Sequence, residues 1–229
     1  MQKAWGYSPY NCFNRFENLD GIETKIIDHL VKSKTKHAEV FWKILKYDDL
    51  SALSQPSVSE QERWDLVCQD NGESTDKRVF LFPRDADVQV RQCSSVFIYV
   101  ESITTLDHMR AAIGVTIDTA VYTKIGVISG DGDPDSSENP EWVNPNESDD
   151  QGSIVVPFKS RATTLLKSIL AELNGIYVDG VGYMGLYDLT PQAPGRVDMP
   201  HNLKDKCHGH RISFKVEVSG ISDNGNEGY

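Results

Sequence analysis

Between residues 93 and 129 the chain stops spelling helices. The runs CSSVFIYVESIT (93–104) and AAIGVTIDTAVYTKIGVIS (111–129) are rich in Val, Ile, Tyr and Thr, whose branched or flat side chains suit a pleated surface. Ile113, Val115 and Ile117 alternate with small or polar residues, so these runs predict two long strands with one face buried. The densest apolar stretch, VFIYV at 96–100, is far too short to cross a bilayer.

Cover for that face is written on both sides of the strands. GIETKIIDHLVKS (21–33) sets Ile22, Ile26, Ile27, Leu30 and Val31 on one helical face, and KHAEVFWKILKYDDL (36–50) does the same with Val40, Phe41, Ile44 and Leu45. SQPSVSEQERWDLVCQ (54–69) reads as a loop into a short helix capped by Ser57 or Ser59. SRATTLLKSILAELNG (160–175) is the clearest element. Ser160 caps its start, Leu165, Leu166, Ile169, Leu170 and Leu173 form its stripe, and Asn174–Gly175 stops it. RVFLFP (78–83) and SIVVPF (153–158) read as short strands, and HRISFKVEVSG (210–220) as a last one with Ile212, Phe214, Val216 and Val218 on one face. The expected architecture is therefore α+β: a mainly antiparallel sheet with N-terminal helices and one amphipathic helix packed on it. Residues 1–19 form an N-terminal arm, 20–220 a single domain and 221–229 a flexible tail.

Charge is unevenly placed. The formal net charge is −11, which argues against a dedicated nucleic-acid binder, because phosphate contacts need clustered Lys and Arg. The segment 129–152, SGDGDPDSSENPEWVNPNESDDQG, concentrates eight acidic side chains and no basic one. Counted as an EF-hand, Asp131, Asp133 and Asp135 occupy the first three ligand positions. The turn position is then Ser136 where glycine is wanted, and the bidentate position is Trp142 where glutamate is needed. An EF-hand is excluded. Pro134, Pro140 and Pro145 make the segment a long loop, and Trp142 and Val143 suit an anchor, either on the chain's own body or on a neighbouring subunit. Candidate intersubunit or lumen contacts are Asp131, Asp133, Asp135, Trp142, Asp149 and Asp150. The second helix is locally basic. A solvated face explains that plainly, while Lys36, Lys43 and Lys46 are candidates for docking an acidic partner.

Chemistry is not where the motifs point. HNLKDKCHGHR (201–211) offers His201, Cys207, His208 and His210, but lacks the second ligand pair of a zinc site. Gly180, Gly182 and Gly185 match a dinucleotide-loop spacing, yet LYDLTPQAPG follows where a helix should open; a twisted or bulged strand accounts for these glycines. Cys12, Cys68, Cys93 and Cys207 are too scattered for a disulfide framework. No catalytic residue, cofactor or metal is assigned. The opening MQKAWGYSPYNCFNRF has no uninterrupted apolar run of the signal-peptide kind, so a cytoplasm-like compartment is expected.

Taken in order, IETKIIDHLVKS…FWKILKYDD, SQP, RVFLFP, the helix LLKSILAELNG and the closing RISFKVEV resemble a neck protein of a tailed bacteriophage, of the tail-terminator or head–tail connector type. The resemblance implies a small α+β subunit with a helix on a bent sheet, and assembly as a hexamer or larger ring through which DNA passes without specific binding. It further implies portal, head-completion and tail-tube proteins as partners, no membrane, and a place in the virion after assembly in the bacterial cytoplasm. An acidic lumen would let the duplex slide, since attractive cations would hold it by counterion release. Two other readings compete: a monomeric acidic binding module, and a metal-dependent enzyme built on the acidic loop or the histidines.

Overall fold

The computed structural model describes residues 21–68, 76–83, 92–105, 110–129, 158–186, 197–198 and 207–219. Three helices form where the apolar spacing predicts them: α1 (Ile22–Lys32), α2 (Lys36–Lys46) and, after the strands, α4 (Arg161–Leu173). A one-and-a-half-turn α3 (Glu60–Asp65) lies between. Caps fix their starts. Thr35 accepts the Ala38 N–H for α2, and Ser160 accepts the Thr163 N–H for α4. Ser59 and Glu62 complete a reciprocal capping box on α3, so Ser59 rather than Ser57 is the cap. Gly175, at φ +75°, follows α4 in the left-handed conformation that ends helices.

The sheet contains β1 (Val79–Phe80), β2 (Ser94–Thr105), β3 (Arg110–Tyr122), β6 (Ile176–Val178), β7 (Gly182–Gly185) and β10 (Arg211–Ser219), in the order β1-β2-β3-β10-β7-β6. Of two further strand pieces, β8 (Val197–Asp198) pairs with β10 and β9 (Cys207–His208) with β3. Among the described strand pairs β1–β2 alone is parallel, joined by an isolated parallel bridge between Val67 and Val79. The protein is thus an α+β fold with a mostly antiparallel sheet. Val96, Ile98, Ile113, Val115, Ile117, Ile212, Phe214, Val216 and Met184 join the apolar faces of α1, α2 and α4 in one core. On the opposite sheet face Phe80 stacks on Phe97 at 5.0 Å between centroids, in a smaller cluster with Cys68, Tyr99, Ala120 and Phe82.

Two readings of the sequence need correction. RVFLFP contributes only two strand residues, Val79 and Phe80. The run 111–129 is not one strand: β3 ends at Tyr122, a 3-10 turn spans Thr123–Ile125, and β4 (Val127–Ser129) leaves the main sheet to pair with β5 (Phe158–Ser160). Gly126 marks the break. A side chain there would meet the His208 ring at 2.7 Å and the Thr123 carbonyl at 3.2 Å, so the chain turns at the one residue that fits.

Arginines secure the helix ends. Helix C-termini leave carbonyls without partners and carry partial negative charge, which a guanidinium satisfies on both counts. Arg63 donates to Val31 O and Ser33 O at the end of α1, and to Val58 O, with Glu39 as its carboxylate partner at 3.1 Å. Trp42 adds a ring N–H to Leu30 O at 2.9 Å. Arg161, wholly buried, donates to Ile44 O in the last turn of α2, to Tyr47 O and Asp49 O just beyond it, and to Ile125 O before β4. Arg78 takes Leu45 O. Glu172 closes the α1–α2 junction by accepting from the Ser33 and Thr35 hydroxyls.

Candidate assembly surface

Of the residues singled out in the sequence, Asp131, Asp133, Asp135, Trp142, Asp149 and Asp150 lie outside the described residues, as does His201. Their anchors are described. Ser129 pairs with Phe158 across β4–β5, and the Ser129 N–H donates to Leu50 O at 2.7 Å. The described residues flanking 130–157, Ser129 and Phe158, therefore lie side by side. Leu50, Val127 and Phe158 gather there, half or more exposed.

The lysines of α2 divide. Lys36 is exposed in the first turn. Lys43 turns inward to Leu53 O at 3.0 Å and lies 3.7 Å from Glu39. Lys46 reaches Glu62 at 2.6 Å and covers the Tyr47 ring. The hydrogen bond from Lys46, with those from Ser59, pulls the Glu62 carboxyl down to about 2. Lys43 and Lys46 thus help to hold α2 to the segment 53–62.

Cys207, His208 and His210 share one strand line, interrupted at Gly209. A Cβ on Gly209 would sit 1.8 Å from the Thr119 carbonyl oxygen, so the two backbones touch and only glycine fits. His210 exchanges hydrogen bonds with Thr119, its N–H reaching Thr119 Oγ1 at 2.8 Å and its carbonyl accepting the Thr119 N–H. Burial, and then the neighbouring His208, push the His210 imidazole below its usual range. Among the described residues no three His, Cys, Asp or Glu side chains converge to hold a metal ion. Gly180 (φ +69°) and Gly182 (φ +117°) shape the turn of the β6–β7 hairpin, and residues 187–196 that follow lie outside the described residues.

The sheet also assembles a polar cluster that sequence reasoning missed. Asp118, nearly buried, receives both Arg211 Nε at 2.7 Å and Nη2 at 2.8 Å, and the Tyr99 hydroxyl at 3.1 Å. Burial and then the Asp118 charge push the Tyr99 phenol up to about 12, while the Asp118 hydrogen bonds hold Arg211 above the ordinary arginine range. Beside it Glu101 accepts from Thr116, which also meets Ser213 at 3.2 Å. Every polar group in this cluster points at another. It fastens β2, β3 and β10 together.

What the described residues do leave open is the periphery of the sheet. Beyond the short β1, which pairs only with Val96 and Phe97, the outer side of β2 has no strand beside it. The Val100 N–H on that side goes to the Glu23 carboxylate at 3.1 Å. Glu101, Ser102, Ile103 and Thr104 are all exposed, and so are Ile176, Tyr177 and Tyr183 on the last two strands at the other end. Compared with family models, with curated proteins and with solved structures, the chain matches none.

Proposed function

We propose that this chain is a structural subunit that closes into a homo-oligomeric ring, of the kind that forms the neck of a tailed phage as a tail terminator or head–tail connector. The observation that carries the reading is the outer side of β2. It is a twelve-residue strand whose distal half presents backbone hydrogen-bonding groups and an apolar side chain, Ile103, to solvent. A strand edge left open beyond Val100 among the described residues invites pairing with another chain, and closed cyclic symmetry removes it. The order of segments along the chain and the acidic stretch 129–152 agree with a channel that lets DNA pass. Portal, head-completion and tail-tube proteins are the partners this reading requires.

The test is native mass over a concentration series, with and without EDTA, followed by negative-stain imaging of the large species. A metal-independent hexamer or larger ring, with a lumen wide enough for duplex DNA, is expected. A monomer at every concentration favours the acidic binding module instead. A ring or fold that collapses in EDTA favours a metal site.

A further inference from the structure

We infer that copies of this chain join head to tail through the two ends of the sheet, the outer edge of β2 in one copy receiving the outer edge of β6 from the next. The inference rests on the ring reading above and assigns the seam. Its strongest support is one row of side chains across the sheet. Ile103 faces Ile113, Ile113 faces Val216, Val216 faces Met184, and Met184 faces Ile176. Residues directly opposite across a ladder share a face, so the five side chains form a single apolar rib from edge to edge. Ile113, Val216 and Met184 are wholly buried, whereas Ile103 is 52% and Ile176 36% exposed. The rib is covered in its middle and bare at both tips. Setting the Ile103 tip of one copy against the Ile176 tip of another continues it without interruption.

Backbone geometry agrees. The N–H groups of Val96 and Val100 point away from β3, since one donates to Arg78 O and the other to Glu23. The ladder then shifts register between Val100 and Ser102. One extra residue inverts the alternation, so beyond the bulge it is Ile103 that turns its N–H and C=O outward. The bulge therefore turns the polar groups of Ile103 toward the free edge while its side chain stays on the helix-covered face, opposite Ile113.

Direction also constrains the seam. β2, β3, β10, β7 and β6 alternate in direction at every step, so β2 and β6 run the same way. A rotation that closes a ring about an axis along the strands keeps that direction, and the seam is a parallel pair. The contact is heterologous, since two different edges meet, which is what a ring requires. A three-residue β6 is too short to propagate sheets indiscriminately, and the bare tips of the rib select the register.

The deciding experiment is cysteine cross-linking of the full chain. The double variant Ile103→Cys/Ile176→Cys under mild oxidant is expected to give a covalent ladder that stops at the ring size, with wild type and both single variants remaining uncross-linked. A covalent dimer from Ile103→Cys alone would mean that β2 pairs with β2 about a two-fold, which overturns the head-to-tail seam. Wild-type rings with no cross-link in the double variant place the seam elsewhere while leaving the ring itself standing. Monomers throughout, with no cross-link, remove both. An independent arm uses Ile103→Lys, expected to keep its melting temperature while raising the concentration for half-assembly by about tenfold or more. Rings that persist unchanged in Ile103→Lys overturn the assignment.

Discussion

Ile113 and Ile103 face each other across adjacent strands, carry the same side chain and lie on the same side of the sheet. One is wholly buried and the other half exposed. The contrast extends to the regions around them. At the centre of the sheet three helices cover the apolar face, and three arginines fasten the helix ends to carbonyls from distant segments. At the edges the same apolar face simply stops. A chain able to satisfy so many buried carbonyls in its interior has left two tips of one rib unsatisfied outside. Stability resides in the centre, and the assembly proposed above is assigned to the edges.

The most forceful way to break this division is to cut a bolt in the centre. Arg161→Ala strips donors from Ile44 O, Tyr47 O, Asp49 O and Ile125 O, all at a site without solvent. Buried acceptors left unpaired incur their full desolvation penalty. A loss of about 4 kcal/mol is expected, read by urea denaturation. Arg161→Lys recovers only part of it, because one ammonium cannot span the fork of acceptors. If Arg161→Ala costs no more than a surface change, the arginines are ornamental and the comparison fails. Gly209→Ala comes next. Its methyl would collide with the Thr119 carbonyl at 1.8 Å, so β3 and the β9–β10 line must separate, at a cost of about 3 kcal/mol. Ile103→Lys and Ile176→Lys stand at the other pole. Each is expected to change monomer stability by less than about 0.5 kcal/mol and to act only on assembly, seen as a loss of high-mass species at unchanged melting temperature.

How far this division was legible in the sequence depends on which residues carry it. Helices α1, α2 and α4 and the buried faces of β3 and β10 follow from spacing alone, since Ile26, Leu165, Ile113 and Phe214 recur at the period of the element that holds them. Ser160 and Gly175 mark their own ends. Arg161 does not announce itself. In SRATTLL it reads as an ordinary first-turn residue, and its burial is decided by where α2 ends, more than a hundred residues earlier. The ion pair of Asp118 with Arg211 spans 93 positions and leaves no local trace. The contacts of Lys43 and Lys46 were hidden for the same reason. A row of lysines on a helix looks solvated until Leu53 O and Glu62 arrive from another segment. The rib from Ile103 to Ile176 depends on four cross-strand registers and a bulge, none of which periodicity specifies. The acidic residues from Asp131 to Asp150 were read from composition, and they lie outside the described residues.

The smallest expected effect is also the most selective between centre and edge. His210 sits where the β9–β10 line presses on Thr119, with Nδ1 buried and without a hydrogen-bond partner. Burial, and secondarily His208, lower its proton affinity in the folded chain. Unfolded, the same imidazole titrates near its ordinary value of about 6.5. Between the two values the unfolded chain binds more protons, so stability rises with pH across that window. The contribution is therefore complete above the unfolded value and is lost as pH falls through the folded one. Melting temperature is expected to drop as the buffer is taken from about pH 7.5 to about pH 5.5, and His210→Gln should flatten that slope. His208→Gln should keep most of it, since burial is the larger cause and survives the substitution. Neither tip of the proposed seam, Ile103 or Ile176, carries an imidazole. Cross-linking efficiency of the double cysteine variant, corrected for thiolate content, should then stay level across the same range while the melting temperature moves. A parallel fall in both would tie the edges to the centre and dissolve the distinction between them.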